Sequence, residues 1–151
     1  MTNFPSGAPR ANEPNESNAT TRGRKNLGNA LKDKGELDEA IRCYRRAIAI
    51  KPDFVDAQVN LSQALLEQGN LSEAAASARR ALAIRPTCLQ ASIQLAAALA
   101  DQGRSGDAVA SLREAVRLHP ESASAHLNLG NLVSDLGLLD EATDAYAKGV
   151  A

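Results

Sequence analysis

Tryptophan is absent from this 151-residue chain, and the aromatic residues stop at two phenylalanines and two tyrosines. So sparse a set makes a poor stacking platform for single-stranded nucleic acid. An excess of one charge is missing too, because 17 basic against 18 acidic side chains leave a net charge of −1. A dedicated binder of nucleic acid or of an anionic membrane would carry a basic face, so neither partner is expected. Cysteine occurs twice, at Cys43 and Cys88, 45 residues apart. That makes neither a CxxC motif nor a zinc pattern, and both read as reduced packing residues. No apolar run nears the roughly 18 residues of a membrane span, and the N-terminus lacks the apolar core of a signal peptide. A cytoplasmic setting follows, in which the sequons at Asn15, Asn18, Asn60 and Asn70 carry no glycan.

Catalytic apparatus is lacking as well. The two histidines are His119, just before a proline, and His126. Neither has a cysteine, serine or carboxylate at catalytic spacing. There is no phosphate loop, no HExxH and no nucleophile elbow. No enzyme activity, metal or cofactor is expected. Residues 1–20, rich in Asn, Pro, Ser and Gly, lack the apolar content that would offset the entropy of ordering. They read as a disordered tail with Phe4 as its one large aromatic group.

What is present is a repeat. Leu27 recurs as Leu61, Leu95 and Leu129, and Gly35 as Gly69, Gly103 and Gly137. Ala40 recurs as Ala74, Ala108 and Ala142, and Pro52 as Pro86 and Pro120, every step being 34 residues. A period of that length signals a stacked array of small helical units. The units run 21–54, 55–88, 89–122 and 123–151, the last incomplete.

Within a unit the spacing predicts two antiparallel helices. The first spans about Arg22 to Lys34, with Leu27 and Leu31 on one face and Gly28 and Leu27 in the packing half. Gly35 ends it, since glycine adopts the left-handed closing conformation at little cost. The second starts at Leu37-Asp38-Glu39, with Asp38 as a candidate cap and Ser72, Gly106 and Asp140 in the corresponding places. Ala40, Tyr44 and Ala47 share one face of it. Gly28, Ser62, Ala96 and Gly130 are small enough to let the two helices approach. The prolines close each unit, and stacking buries the faces that one pair alone cannot.

Leu-Gly, a leucine three further on, a glycine four after that, then Ala, Tyr, Ala and Pro resembles the tetratricopeptide repeat pattern, across residues 21–151. The resemblance implies an all-α fold: an α-solenoid of about four stacked helix-turn-helix units in a right-handed superhelix. The chain departs from the pattern at the fourth place of each unit, where Arg24, Gln58, Ser92 and His126 replace a bulky apolar residue, and at Ala78, where Tyr44, Leu112 and Tyr146 are large. Both departures weaken the packing expected there.

In arrays of this family the first helices line the concave side. The sixth place of each unit then sets a column of amides in one groove: Asn26, Asn60, Gln94 and Asn128. Each amide both donates and accepts, so the column can pair with the backbone of an extended peptide. Lys25, Asn29, Gln63, Gln90 and Asn131 complete the candidate peptide-binding set. The asparagine column resembles the one lining the repeat superhelix of O-linked N-acetylglucosamine transferases. Some cochaperones of the family hold a C-terminal carboxylate in a clamp, which Lys25, Asn29 and Asn60 match in part. The third-unit places hold Gln90 and Gln94 instead of cations, and charge-assisted bonds are about twice as strong as neutral ones.

An acidic column, Asp33, Glu67, Asp101 and Asp135, sits near the first-helix C-termini, where carboxylates oppose the helix dipole. It reads either as a groove edge favouring basic partners or as a solvated rim. Leu132, Leu136, Leu138, Leu139 and Val150 include faces that a next helix would cover, which points to a longer array or to self-association. The expected function is a non-catalytic scaffold or adaptor that binds a peptide or partner protein in the groove. The alternative is the substrate-selecting repeat region of a larger enzyme, such as a glycosyltransferase, whose catalytic domain is not in this chain.

Overall fold

The computed structural model describes residues 14–151, and among them there are eight helices and no strands. They are α1 (Pro14–Asp33), α2 (Leu37–Ile50), α3 (Val55–Gln68), α4 (Leu71–Ile84), α5 (Leu89–Asp101), α6 (Ser105–Leu118), α7 (Ala123–Asp135) and α8 (Leu139–Gly149). None is long and apolar enough to cross a membrane.

The 34-residue glycine column closes every first helix in one way. Gly35, Gly69, Gly103 and Gly137 have φ of 81°, 86°, 80° and 78°, a region that strains residues with a Cβ. At the first of them, the Gly35 amide donates to Lys32 O at 2.8 Å and the Glu36 amide to Leu31 O at 2.9 Å. This paired closure satisfies carbonyls that the helix end leaves open, and the three other glycines repeat it. The capping expectation fails: Asp38 lies inside α2, after Glu36 as N-cap, and no side chain caps that helix. With the glycine closure immediately upstream, the second helix starts two residues too early for Asp38 to be its cap. Among the described residues the one side-chain N-cap is Ser122, ahead of a first helix, accepting from the Ala125 amide at 3.2 Å. The tail expectation also changes. Helix α1 starts at Pro14, eight residues before Arg22, so 14–20 are helical, while 1–13 with Phe4 lie outside the described residues. Proline suits a first helical position because its missing amide would have no helical partner there.

Packing sets the curvature. Each first helix touches the next first helix (α1 to α3, α3 to α5, α5 to α7), whereas no second helix touches the next second helix. The first helices therefore line the inner, concave side. One continuous core runs from Ala40 and Tyr44 through Leu61, Leu95 and Leu99 to Leu129, Val133 and Ala145. Such continuity is what stacked units require, since each completes its neighbour's buried face. Leu61, Leu95 and Leu129 are buried on helices that pack against α2, α4 and α6. Leu27, by contrast, is 55% exposed. Its place in the packing half is corrected, because no second helix precedes α1 among the described residues. Leu136, Leu138, Leu139 and Val150 are exposed at the other end.

Candidate functional site

The inner face is built from two amide columns, three residues apart on each first helix and so one turn from each other. Sequence spacing alone aims these amides at a ligand. In the structure many of them bond each other. Asn60 Nδ2 donates to Asn29 Oδ1 at 3.0 Å, across the joint between the first two units. The Tyr44 hydroxyl, from the second helix, donates to the same oxygen at 2.7 Å. Burial, followed by the carboxylate of Asp33, pushes the Tyr44 phenol up to about 12, so it remains a donor at neutral pH. With both lone-pair directions of Asn29 Oδ1 occupied, its Nδ2 end is fixed in orientation and makes no hydrogen bond among the described residues.

The next joint repeats the device less tightly. Gln94 Nε2 approaches Gln63 Oε1 at 3.4 Å, and Gln63 Nε2 donates to Glu67 Oε1 at 3.0 Å. Gln94 is only 3% exposed, and its Oε1 is enclosed without a partner. It is therefore part of the wall between units and does not present its amide to the groove. The extra methylene of glutamine lets the side chain fold into the joint where asparagine would reach out.

At the third joint the pattern breaks. Ala97 stands where Asn29 and Gln63 stand, so Asn128 has no amide to meet and donates instead to Ser124 O at 2.7 Å. Asn131, one turn on, again accepts a tyrosine hydroxyl, from Tyr146 at 2.8 Å. Asn128 and Asn131 are both exposed. Between α5 and α7, where Ala97 stands in the amide's place, lies a depression of about 170 Å³, lined by Ala97, Leu112 and Leu132 among others and by the polar side chains of Asn128, Asn131 and Asp135.

The remaining sequence candidates separate. Lys25 lies 3.9 Å from Asp56 and 5.8 Å from the centre of the Phe54 ring, so its charge already has neighbours. Asn26 and Gln90 are exposed with no hydrogen bond of their own among the described residues. No cation on α5 replaces the two a carboxylate clamp would use. The histidines take structural partners: His126 Nε2 bonds Pro120 O and His119 Nε2 bonds Thr87 O, each at 2.8 Å. No group of three or more metal-ligating side chains lies together among the described residues. What the spacing argument missed is the cross-pairing between columns. Its signal was available: an amide at the sixth place of one unit and at the ninth place of the unit before are 31 residues apart, one turn short of the period.

Comparison with known proteins accords with this architecture. A family model described as TPR repeat matches residues 28–69, and models described as tetratricopeptide repeat match residues 55–88 and 93–151. The chain belongs to the tetratricopeptide repeat family. A search of curated proteins found none that matches. Among solved structures, the crystal structure of MamA superposes with a TM-score of 0.79 at 19% identity, over 89% of this chain and 80% of that one. A thermophilic TPR protein of Thermus thermophilus, TTC0263, gives 0.76 at 23%, over 86% and 73%. The second TPR domain of human RPAP3, in complex with the HSP70 peptide SGPTIEEVD, gives 0.73 at 22%, over 77% and 97%. At these identities the likeness carries the fold.

Proposed function

We propose that this protein is an interaction scaffold that holds an extended segment of a partner protein along the inner face, through the amide ends its own structure leaves open. The observation that carries this reading is the pinning of Asn29. Two donors at 2.7 and 3.0 Å occupy its oxygen, and its Nδ2 makes no hydrogen bond among the described residues. At Asn131 one donor, the Tyr146 hydroxyl, holds the oxygen at 2.8 Å. Donors held in place before binding lose little freedom on meeting a backbone carbonyl, which favours affinity. A structural neighbour, the RPAP3 domain, is in complex with a peptide, which supports a peptide as the kind of ligand.

The test is capture of a partner with the immobilised chain, identification of the bound segment and titration of that segment as a synthetic peptide. Asn29→Ala combined with Asn131→Ala should weaken binding about tenfold or more, since each lost hydrogen bond is worth about 0.5–1.5 kcal/mol. Unchanged affinity in this double variant, with a normal thermal melt, would remove the groove reading.

A further inference from the structure

The third joint differs from the other two in a way that selects a ligand. We infer that it is a specificity pocket for an aliphatic side chain of the bound segment, and that the segment carries a lysine or arginine next to that side chain. The inference rests on the inner face being the binding face.

The first half of the argument is steric. Amides fill the joints between α1 and α3 and between α3 and α5. At the joint between α5 and α7 the corresponding place holds Ala97, which is exposed, and the tyrosine place of the unit holds Leu112. The result is an opening of about 170 Å³ with Ala97, Leu112 and Leu132 in its wall. An apolar cavity of about 150 Å³ accommodates a benzene-sized group, so a leucine, isoleucine or methionine side chain fits. Six of the nine lining residues are aliphatic, and Asn128, Asn131 and Asp135 make up the polar part. A seated aliphatic group therefore finds apolar contact on most sides, whereas a polar group there would leave bonds unmade on that apolar side.

The second half is electrostatic. Helices α3, α5 and α7 carry Asp56, Glu67, Asp101 and Asp135 and no lysine or arginine. Asp56 is near Lys25, and Glu67 accepts a bond from Gln63. Asp101 and Asp135 make no ion pair among the described residues, and each is the last residue of its helix. A carboxylate at a helix C-terminus faces the negative end of the dipole, so helix stability does not explain either one. Asp135 lines the same opening as Ala97 and Leu132. A cation beside the seated aliphatic group meets that carboxylate, while Asn131 Nδ2 is free for the intervening backbone carbonyl. An acidic segment meets uncompensated carboxylates along the same path, so like charge excludes it.

The experiment is selection of a random dodecapeptide phage library on the full chain, followed by titration of an enriched synthetic peptide. Enriched sequences should place Leu, Ile or Met within two residues of Lys or Arg. The synthetic peptide should lose at least tenfold in affinity on Ala97→Gln, which rebuilds the missing amide and fills the opening. It should lose threefold or more on Asp135→Asn, a difference that shrinks as salt rises. A circular dichroism melt checks folding of each variant, and Ala97→Leu fills the opening without an amide should Ala97→Gln unfold. Enrichment of acidic peptides, or equal binding to the wild-type and filled variants, would overturn the pocket while leaving the groove intact. If no peptide is enriched over the bare support, the groove reading itself fails and the pocket with it.

Discussion

Gly28 should tolerate a methyl group only when its neighbour across the helix pair shrinks. A Cβ built on Gly28 would lie 2.6 Å from Tyr44 Cε1, against 3.4 Å for the lower edge of ordinary contact. The ring would have to retreat by about 0.8 Å, the difference of those distances. Tyr44 is fully buried and its hydroxyl is tied to Asn29 at 2.7 Å, so it has nowhere to go. Overpacking of a core costs about 1–3 kcal/mol, and disturbing the tyrosine bond adds about 0.5–1.5 kcal/mol. Replacing glycine by alanine in a helix returns only about 0.8–1 kcal/mol. Gly28→Ala should therefore destabilise the protein by about 1–3 kcal/mol on these magnitudes. In a Tyr44→Leu background the sign should reverse, to a gain of about 1 kcal/mol, because only the helix term remains. That double variant reproduces the pair the third unit already uses, Ala96 and Leu112. Urea unfolding of wild type, both single variants and the double, followed by circular dichroism at 222 nm, gives the coupling directly. Stabilisation by Gly28→Ala with Tyr44 in place, or a coupling under about 0.5 kcal/mol, the usual error of additivity, would refute the reasoning.

Tyr44 also makes stability depend on pH. Its phenol is raised from 10.0 to about 12 in the folded protein, chiefly by burial. The folded state then holds a proton that the unfolded chain releases, so this contribution is complete below pH 10 and is lost as pH rises from 10 through 12. Urea midpoints of wild type and Tyr44→Phe should therefore keep a constant offset between pH 8 and 10, and the wild type should fall relative to the variant, by roughly one to a few kcal/mol, as pH rises from 10 to 11.5; a pH-independent offset over the whole range would argue against it. Gln58, 2% exposed with an enclosed Oε1 that has no partner, occupies a place where the family favours a bulky apolar residue. Gln58→Leu should raise stability by about 1 kcal/mol or more by removing that unsatisfied group; a lower urea midpoint would count against it.

The repeat, the eight helices and the glycine closures could be read from spacing, because a 34-residue recurrence of leucine, glycine, alanine and proline constrains local conformation at every turn. The close approach at Gly28 and Gly130 was legible for the same reason: small residues at one place and large ones sixteen further on are a local size pattern. Leu27 was misassigned because burial belongs to the array, where a position is covered only if a neighbouring helix exists to cover it. The expected caps differ from those observed because the glycine closure starts each second helix two residues earlier, a shift that only backbone geometry reveals.

The candidate groove divides along the same line. By itself the sequence put Asn26, Asn60, Gln94 and Asn128 at one place of the 34-residue repeat and Asn29, Gln63 and Asn131 one turn on, and the family resemblance implied that these places line the groove. Tertiary structure decided what each amide does there. Asn60 gives its donor to Asn29, Gln94 turns into the wall, and Asn29 and Asn131 are left with one end fixed by a tyrosine and the other open. Hydrogen bonds of this kind join residues 15 and 31 positions apart on different helices. Spacing sets the direction of a side chain, and only the packing of one unit on the next decides which of its atoms remain free.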